Sequence, residues 1–448
     1  MATEKADRSR ELRETAHMCV QTALKKGAKE ATARAYRVRD VTVEWRDGKV
    51  EKIKEATTRG VSLQLFADGR YSAVSSSDLR PEALAAFIGD SVSMARTLAP
   101  DPFRYLPEPA LYAGQAKIDL QIDDPRYATV TAEQRRDLAR GLEEGARSVK
   151  GVEAILSVTT GFNDSRSEVV RVHSNGFEGA HVETAFSTYA TVSVKDGDGR
   201  RPEDWSSSGA RFVADLSSLP NDGRVAAERA LSRIGAKKGE SVVLPMAVEA
   251  RAAGRILRAM SEPLSARALQ QKRSFLEGKL GTAIGSEKLT LRDDPHLVRG
   301  FGSRLFDSEG LAARPIPLFE GGVLKSYYID TYYGRKLEMK PTTAALSNLS
   351  WTLGDKDRDA LLADMKEGIL VTSFLGGNSN STTGDFSLGI SGFRVRDGRP
   401  AEPVSEMNIA GNLGTVFQRL VAVGNDPYAY SALRTPTLVF DGIQFAGS

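Results

Sequence analysis

Thiols and imidazoles are scarce in this sequence: 448 residues contain one cysteine, Cys19, and four histidines, His17, His173, His181 and His296. A single thiol excludes an internal disulfide and any multi-thiolate zinc site. Cys19 falls in a helical pattern with Leu12, Ala16 and Leu24, so it reads as a small buried hydrophobe rather than a nucleophile. No apolar run approaches the roughly 18–20 residues that span a bilayer, so no membrane insertion is expected. Residues 1–14 are charged and lack the apolar stretch of a secretory signal, which makes the cytoplasm the expected location. Excess charge is also missing, because 61 basic residues face 58 acidic ones for a net charge of +3. Without a basic stripe interleaved with aromatics, nucleic-acid binding is not expected. Nor is there a Gly-x-Ser-x-Gly elbow or a glycine loop followed by lysine and a helix, so serine-hydrolase and phosphate-loop chemistry find no support.

What is present describes a folded α+β chain. Hydrophobic residues at 41% and charged residues at 27% suit a globular protein, and the length suits two or three domains. Residues 11–26 have helical apolar spacing. They precede strands at 35–45, 50–55, 61–66 and 71–75, with tight turns at Asp47-Gly48 and Asp68-Gly69. Pro81 opens a second helix, completing a helix–meander–helix unit. Four prolines between 100 and 109 form a stiff connector, after which Thr131 and Gln134 have capping-box spacing. Strands are expected at 154–162, 169–173 and 177–194, with a two-residue Asn175-Gly176 hairpin that puts His173 and His181 on opposite faces. A helix at 225–234 leads to a linker. Beyond residue 242 the pattern is strand-rich and glycine-rich, with helices expected at 246–260, 357–366 and 415–420 and a hairpin at Asp397-Gly398. The expected division is 1–112, an N-terminal α+β region, 113–235, a mixed-sheet region packed with the first, and 236–448, a β-rich antiparallel domain.

The most distinctive stretch runs from Gly376-Gly377-Asn378 through Gly384-Asp385-Phe386 to Gly389, followed by Gly411-Asn412 and Gly424-Asn425. Glycines there permit bulges and close backbone approach, while amides and carboxylates satisfy main-chain groups that bends leave unpaired. The cluster is either architectural or a groove whose edge takes an extended peptide as an added strand. Together with Phe306-Asp307-Ser308-Glu309-Gly310, Glu320-Gly321-Gly322-Val323-Leu324 and Arg59-Gly60-Val61-Ser62, it resembles the TldD/PmbA family of peptidase subunits over nearly the whole chain.

That resemblance implies a barrel-like C-terminal body and a choice between two subunit types. TldD-type members carry a His-Glu-x-x-x-His helix and a late cysteine that bind a zinc-like metal, whereas TldE/PmbA-type members have lost these ligands. In this chain the matching positions are Val248, Glu249 and Ala253, and no cysteine follows Cys19, so it resembles the second type. Glu249 keeps the general-base position, but a carboxylate alone has no metal-bound water to deprotonate, and pairing with Arg251, Arg255 or a neighbouring chain is its other reading. The resemblance implies no catalytic residue and no metal on this chain, a metal on a TldD-type partner, and an extended peptide as substrate. Candidate peptide or partner contacts are Gly322, Tyr327, Asp330, Gly377, Asn378, Asp385 and Phe386, and Tyr327 belongs with Tyr328, Tyr332 and Tyr333 to an aromatic cluster readable as core, interface or substrate wall. The rival expectations are a homodimeric peptide-binding or regulatory protein and an independent hydrolase. Family names also carry a link to DNA gyrase, which implies no direct DNA contact.

Overall fold

The computed structural model describes residues 2–447. Its first half is one antiparallel sheet built from β1 (Glu30–Arg46), β2 (Lys49–Ala67), β3 (Arg70–Ser76), β4 (Ile155–His173), β5 (Glu178–Val194) and β6 (Glu203–Ala210) in the order β3-β2-β1-β4-β5-β6. Helices α1 (Ala2–Lys25), α2 (Pro81–Ala95), α3 (Ala132–Arg147) and α4 (Asp222–Ser232) cover one face. Strand alternation dictates which one: Ala31, Ala33 and Ala35 of β1 and Val170 and Val172 of β4 point together under Leu84, Ile88 and Val92 of α2. Farther along the same face, Phe162 and Phe186 meet Ala139 of α3, and Ala190 and Val192 meet Ala226 and Ala230 of α4. Cys19 lies fully buried in the α1 layer, and burial pushes its thiol up to about 11.

Local signals explain the turns. Asp47-Gly48, Asp68-Gly69 and Asp397-Gly398 all take positive φ at both positions, as a type I′ hairpin turn requires. Thr131 and Gln134 form the reciprocal capping box at the start of α3.

Three readings are corrected. The strands expected at 50–55 and 61–66 are one strand, β2, because β1 offers a partner at nearly every position between them. The charged, exposed residues of its first half carried no burial signal. Strand β4 is continuous for the same reason. The Asn175-Gly176 turn is one residue longer than expected: the His173 backbone N–H donates to the Phe177 carbonyl at 2.9 Å, and Val169, not Val170, pairs with His181. A one-residue slip exchanges the faces, so His173 and His181 lie on the same side, around Phe177 and Phe306.

The second half is a closed five-stranded barrel. Strands β7 (Val242–Val248), β8 (Gly368–Ser379), β9 (Asp385–Arg396), β10 (Arg399–Asn412) and β11 (Leu438–Ala446) follow each other around it in the order β11-β7-β8-β9-β10. Pairs Asn408–Ala446 and Ile409–Phe445 join β10 back to β11. All neighbours are antiparallel except β7 and β8. A smaller sheet that includes Leu291–Asp293, Ile316–Glu320 and Leu349–Trp351 shares its core. The helix expected at 246–260 starts later, as α5 (Ala250–Arg258), because residues 246–248 are sandwiched as strand between β8 and β11.

Gly392 in β9 shows how tightly the barrel is wound: an added Cβ would lie 1.8 Å from the Leu370 carbonyl oxygen. Gly254 on α5 meets nothing closer than 4.0 Å. Gly392→Ala should therefore destabilise by about 1–3 kcal/mol through overpacking, while Gly254→Ala should be neutral or stabilise by about 0.5–1 kcal/mol. Denaturant titration of both variants checks the contrast.

Candidate functional site at the barrel end

The junction between β7 and α5 holds the positions where a metal site was sought. Val248 and Ala253 are completely buried in the barrel core and present only aliphatic atoms. Among the described residues no group of three or more His, Cys, Asp and Glu side chains is placed to hold a metal ion. The donor chemistry at this position therefore does not fit zinc, which needs nitrogen or thiolate ligands converging on one point.

Glu249 occupies the residue before α5 but does not cap the helix. Its carboxylate instead receives a two-pronged pair from Arg229 of α4, at 2.7 and 2.9 Å. Arg229 also lies 3.4 Å from Asp204 of β6, and Arg251 of α5 reaches the same Asp204 oxygen at 2.8 Å while stacking over Trp205. Burial acts to raise the Asp204 pKa, but Arg251 and Arg229 outweigh it and hold the carboxyl below its usual value. The sequence pointed to Arg251 or Arg255 as partners of Glu249. Arg229 was missed because it lies on another element, with no periodicity linking the two.

The glycine-rich stretch forms the hairpin of β8 and β9 beside α5. A bulge between Leu375 and Asn378 is made by Gly376 and Gly377, both at positive φ, and a Cβ on Gly377 would lie 2.2 Å from the Ser387 carbonyl oxygen. Arg255 donates to the Gly377 carbonyl at 3.2 Å. Asn378 is exposed opposite Ser387. Asp385 accepts from the Asn412 amide at 3.0 Å, and this hydrogen bond holds its carboxyl below the ordinary range. Phe386 turns inward, and with Met246, Ile256, Leu388 and Ile409 it lines an apolar cavity of about 110 Å³, with Arg255 and Arg258 also on its wall.

The structure thus gathers Gly377, Asn378, Asp385 and Phe386 on one hairpin, but places the other candidates elsewhere. Gly322 makes a close turn against the Gly285 carbonyl, Tyr327 is buried with its hydroxyl on the Leu276 carbonyl at 2.5 Å, and Asp330 caps the helix Thr331–Leu337. The tyrosine cluster divides in two. Tyr327 and Tyr328 are core, whereas Tyr332 bonds Asp101 at 2.7 Å and lies under Arg104, clamping the proline-rich connector to the barrel half.

Sequence profiles of three domains match the chain in order: PmbA/TldA metallopeptidase domain 1 over residues 31–95, the central domain over 125–234 and the C-terminal domain over 241–447. The chain belongs to the PmbA/TldD metallopeptidase family. It is 28% identical to Metalloprotease PmbA of Escherichia coli O157:H7, over 91% of this chain and 90% of that protein. A crystal structure of a proposed modulator of DNA gyrase from Bacteroides thetaiotaomicron is 38% identical with a TM-score of 0.94, over 98% of this chain and 99% of that one. TldE from Thermococcus kodakarensis shares the fold at a TM-score of 0.82 and 19% identity, over 96% and 99%. The family is named for a metal, which the residues at the β7–α5 junction of this chain are not equipped to bind. No described helix is long and apolar enough to cross a membrane.

Glu249 is held as a structural anion, so Glu249→Gln should destabilise the fold by about 1–3 kcal/mol rather than leave a stable, inactive protein. Asp204 has a lowered pKa, so its contribution is fully present above its unfolded value near pH 4 and is lost as the pH falls through the folded value. Acid titration of the melting temperature should show this loss, and Asp204→Asn should flatten it.

Proposed function

We propose that this chain is the metal-free subunit of a two-subunit peptidase. It binds a TldD-type chain, whose own zinc-like metal performs hydrolysis, and helps enclose an extended, unfolded or modified peptide. The observation that carries this reading is the filling of the ligand positions Val248 and Ala253 with buried aliphatic side chains in a chain that belongs to a metallopeptidase family. A protein named TldE shares the fold.

Within that reading the β8–β9 hairpin is the peptide-facing element. It is exposed from Leu375 to Asn380, its glycines admit another backbone, and Arg255 and Arg258 stand beside an apolar cavity that accepts a side chain. The chain's own residues position and enclose substrate. Bond cleavage belongs to the partner.

Mixing the purified chain with a TldD-type partner should give a complex whose native mass is the sum of the two chains, and peptide cleavage that chelators abolish. The chain alone should show neither chelator-sensitive cleavage nor bound transition metal. A mass of two copies of this chain, unchanged by the partner, would instead establish a homodimer without hydrolase function.

A further inference from the structure

The face of the six-stranded sheet opposite the helices carries a charge arrangement that folding alone does not explain. Arg34 of β1 and Arg171 of β4 are direct cross-strand neighbours, an arrangement that is unfavourable for like charges. Both are partly buried, and among the described residues neither side chain has an ion pair or hydrogen bond. Arg34 lies over the Tyr36 ring, 4.7 Å from its centre, and Arg171 has no such contact.

Asp307 and Glu309 act on Arg171 through space, but the nearby acids make their close contacts elsewhere. Asp307 accepts from the backbone N–H groups of Glu309, Leu311 and Ala344. Glu183 pairs with Arg211 at 3.0 Å. Glu309 takes two hydrogen bonds from Thr331, and burial pushes its pKa up to about 7, which reduces its negative charge. Arg304 bonds the carbonyls of Leu346 and Ala345 and the Thr343 hydroxyl, and its charge also acts on the buried Asp293 carboxyl.

Arg171, His181 and Arg304 line a groove of about 450 Å³ between β4–β5 and the segment 301–308, and Arg34, beside Arg171 on the next strand, is not itself on the wall. The rest of the wall is mixed: Leu120, Val182, Phe301, Leu305 and Phe306 are apolar, while Asp119, Glu183 and Asp307 also line it, Asp119 accepting from the Gln121 backbone N–H at 2.8 Å. The volume is that of a small-molecule site, and apolar side chains beside unpaired guanidinium suit a monoanion with an apolar side chain better than a fully hydrated polyanion.

We propose that this groove binds a carboxylate ligand bearing an apolar side chain, such as the free C-terminal end of a peptide or a small organic acid. Arg171 receives the carboxylate and Arg34 supplies a second positive charge. The site lies wholly on this chain and does not depend on the partnership proposed above.

Calorimetric titration of the full chain with N-acetyl-leucine tests it, with N-acetyl-leucinamide and inorganic phosphate as comparison probes. The acid should bind saturably, the amide and Arg171→Gln should each weaken binding by about tenfold or more, and phosphate should bind less well than the acid. An acetylated tripeptide ending in leucine that binds more tightly than N-acetyl-leucine assigns the site to a peptide end. Equal affinity assigns it to a free acid, and either result keeps the carboxylate site. Ligand-free Arg171→Gln should melt no lower than the parent, because a like-charge contact is relieved. Equal binding of acid and amide, binding of phosphate alone, no binding of any probe, or an Arg171→Gln variant that melts lower with binding intact would each overturn the proposal.

Discussion

The pairing of Arg229 with Glu249 is the contact on which the relation between the two halves rests. It joins a helix from the sheet half to the first residue before the helix of the barrel half, and Asp204 with Arg251 extends it on both sides. Each charge in this network is mostly removed from water, so the cost of burial is offset only while all partners stay in place. A carboxylate so held cannot also swing free. The same geometry ties the two halves together at this point.

The positions where zinc ligands were sought are held by packing as well as by residue type. Val248 is the last residue of a strand pinned between β8 and β11, and Ala253 faces the core from the first turns of α5. Packing now uses these positions, so restoring a histidine at either would bring a bulkier polar ring into a closely filled interior. This end of the barrel offers shape: a glycine bulge, an apolar recess under Phe386 and a rim of arginines.

Much of the fold was legible because its signals are local. Asp-Gly turns demand positive φ, Thr131 and Gln134 cap one another, and Leu84, Ile88 and Val92 repeat at helical spacing. The barrel was legible only as strand-rich sequence, since its closure depends on residues such as Ile409 and Phe445 that no periodicity connects. The errors share a cause. The continuity of β2 and the offset at Asn175-Gly176 are decided by partner strands, not by the residues themselves. The hairpin candidates from Gly377 to Phe386 came out together because they are adjacent in sequence. Arg229, Arg34 and Arg171 were invisible as sites because their meaning lies wholly in what faces them.

Closure of the barrel through its last strand imposes an order on biogenesis. Strand β11, at Leu438–Ala446, completes the ring by lying between β7, almost two hundred residues earlier, and β10. While the chain is being synthesised, the earlier sheet and its helices can assemble as soon as they emerge. The second half must wait with two strands unpaired until β11 has been synthesised. A ribosome that stalls before β11 would thus release a molecule with a finished front half and a back half open along a seam of exposed main-chain groups, a ready substrate for chaperones or for aggregation.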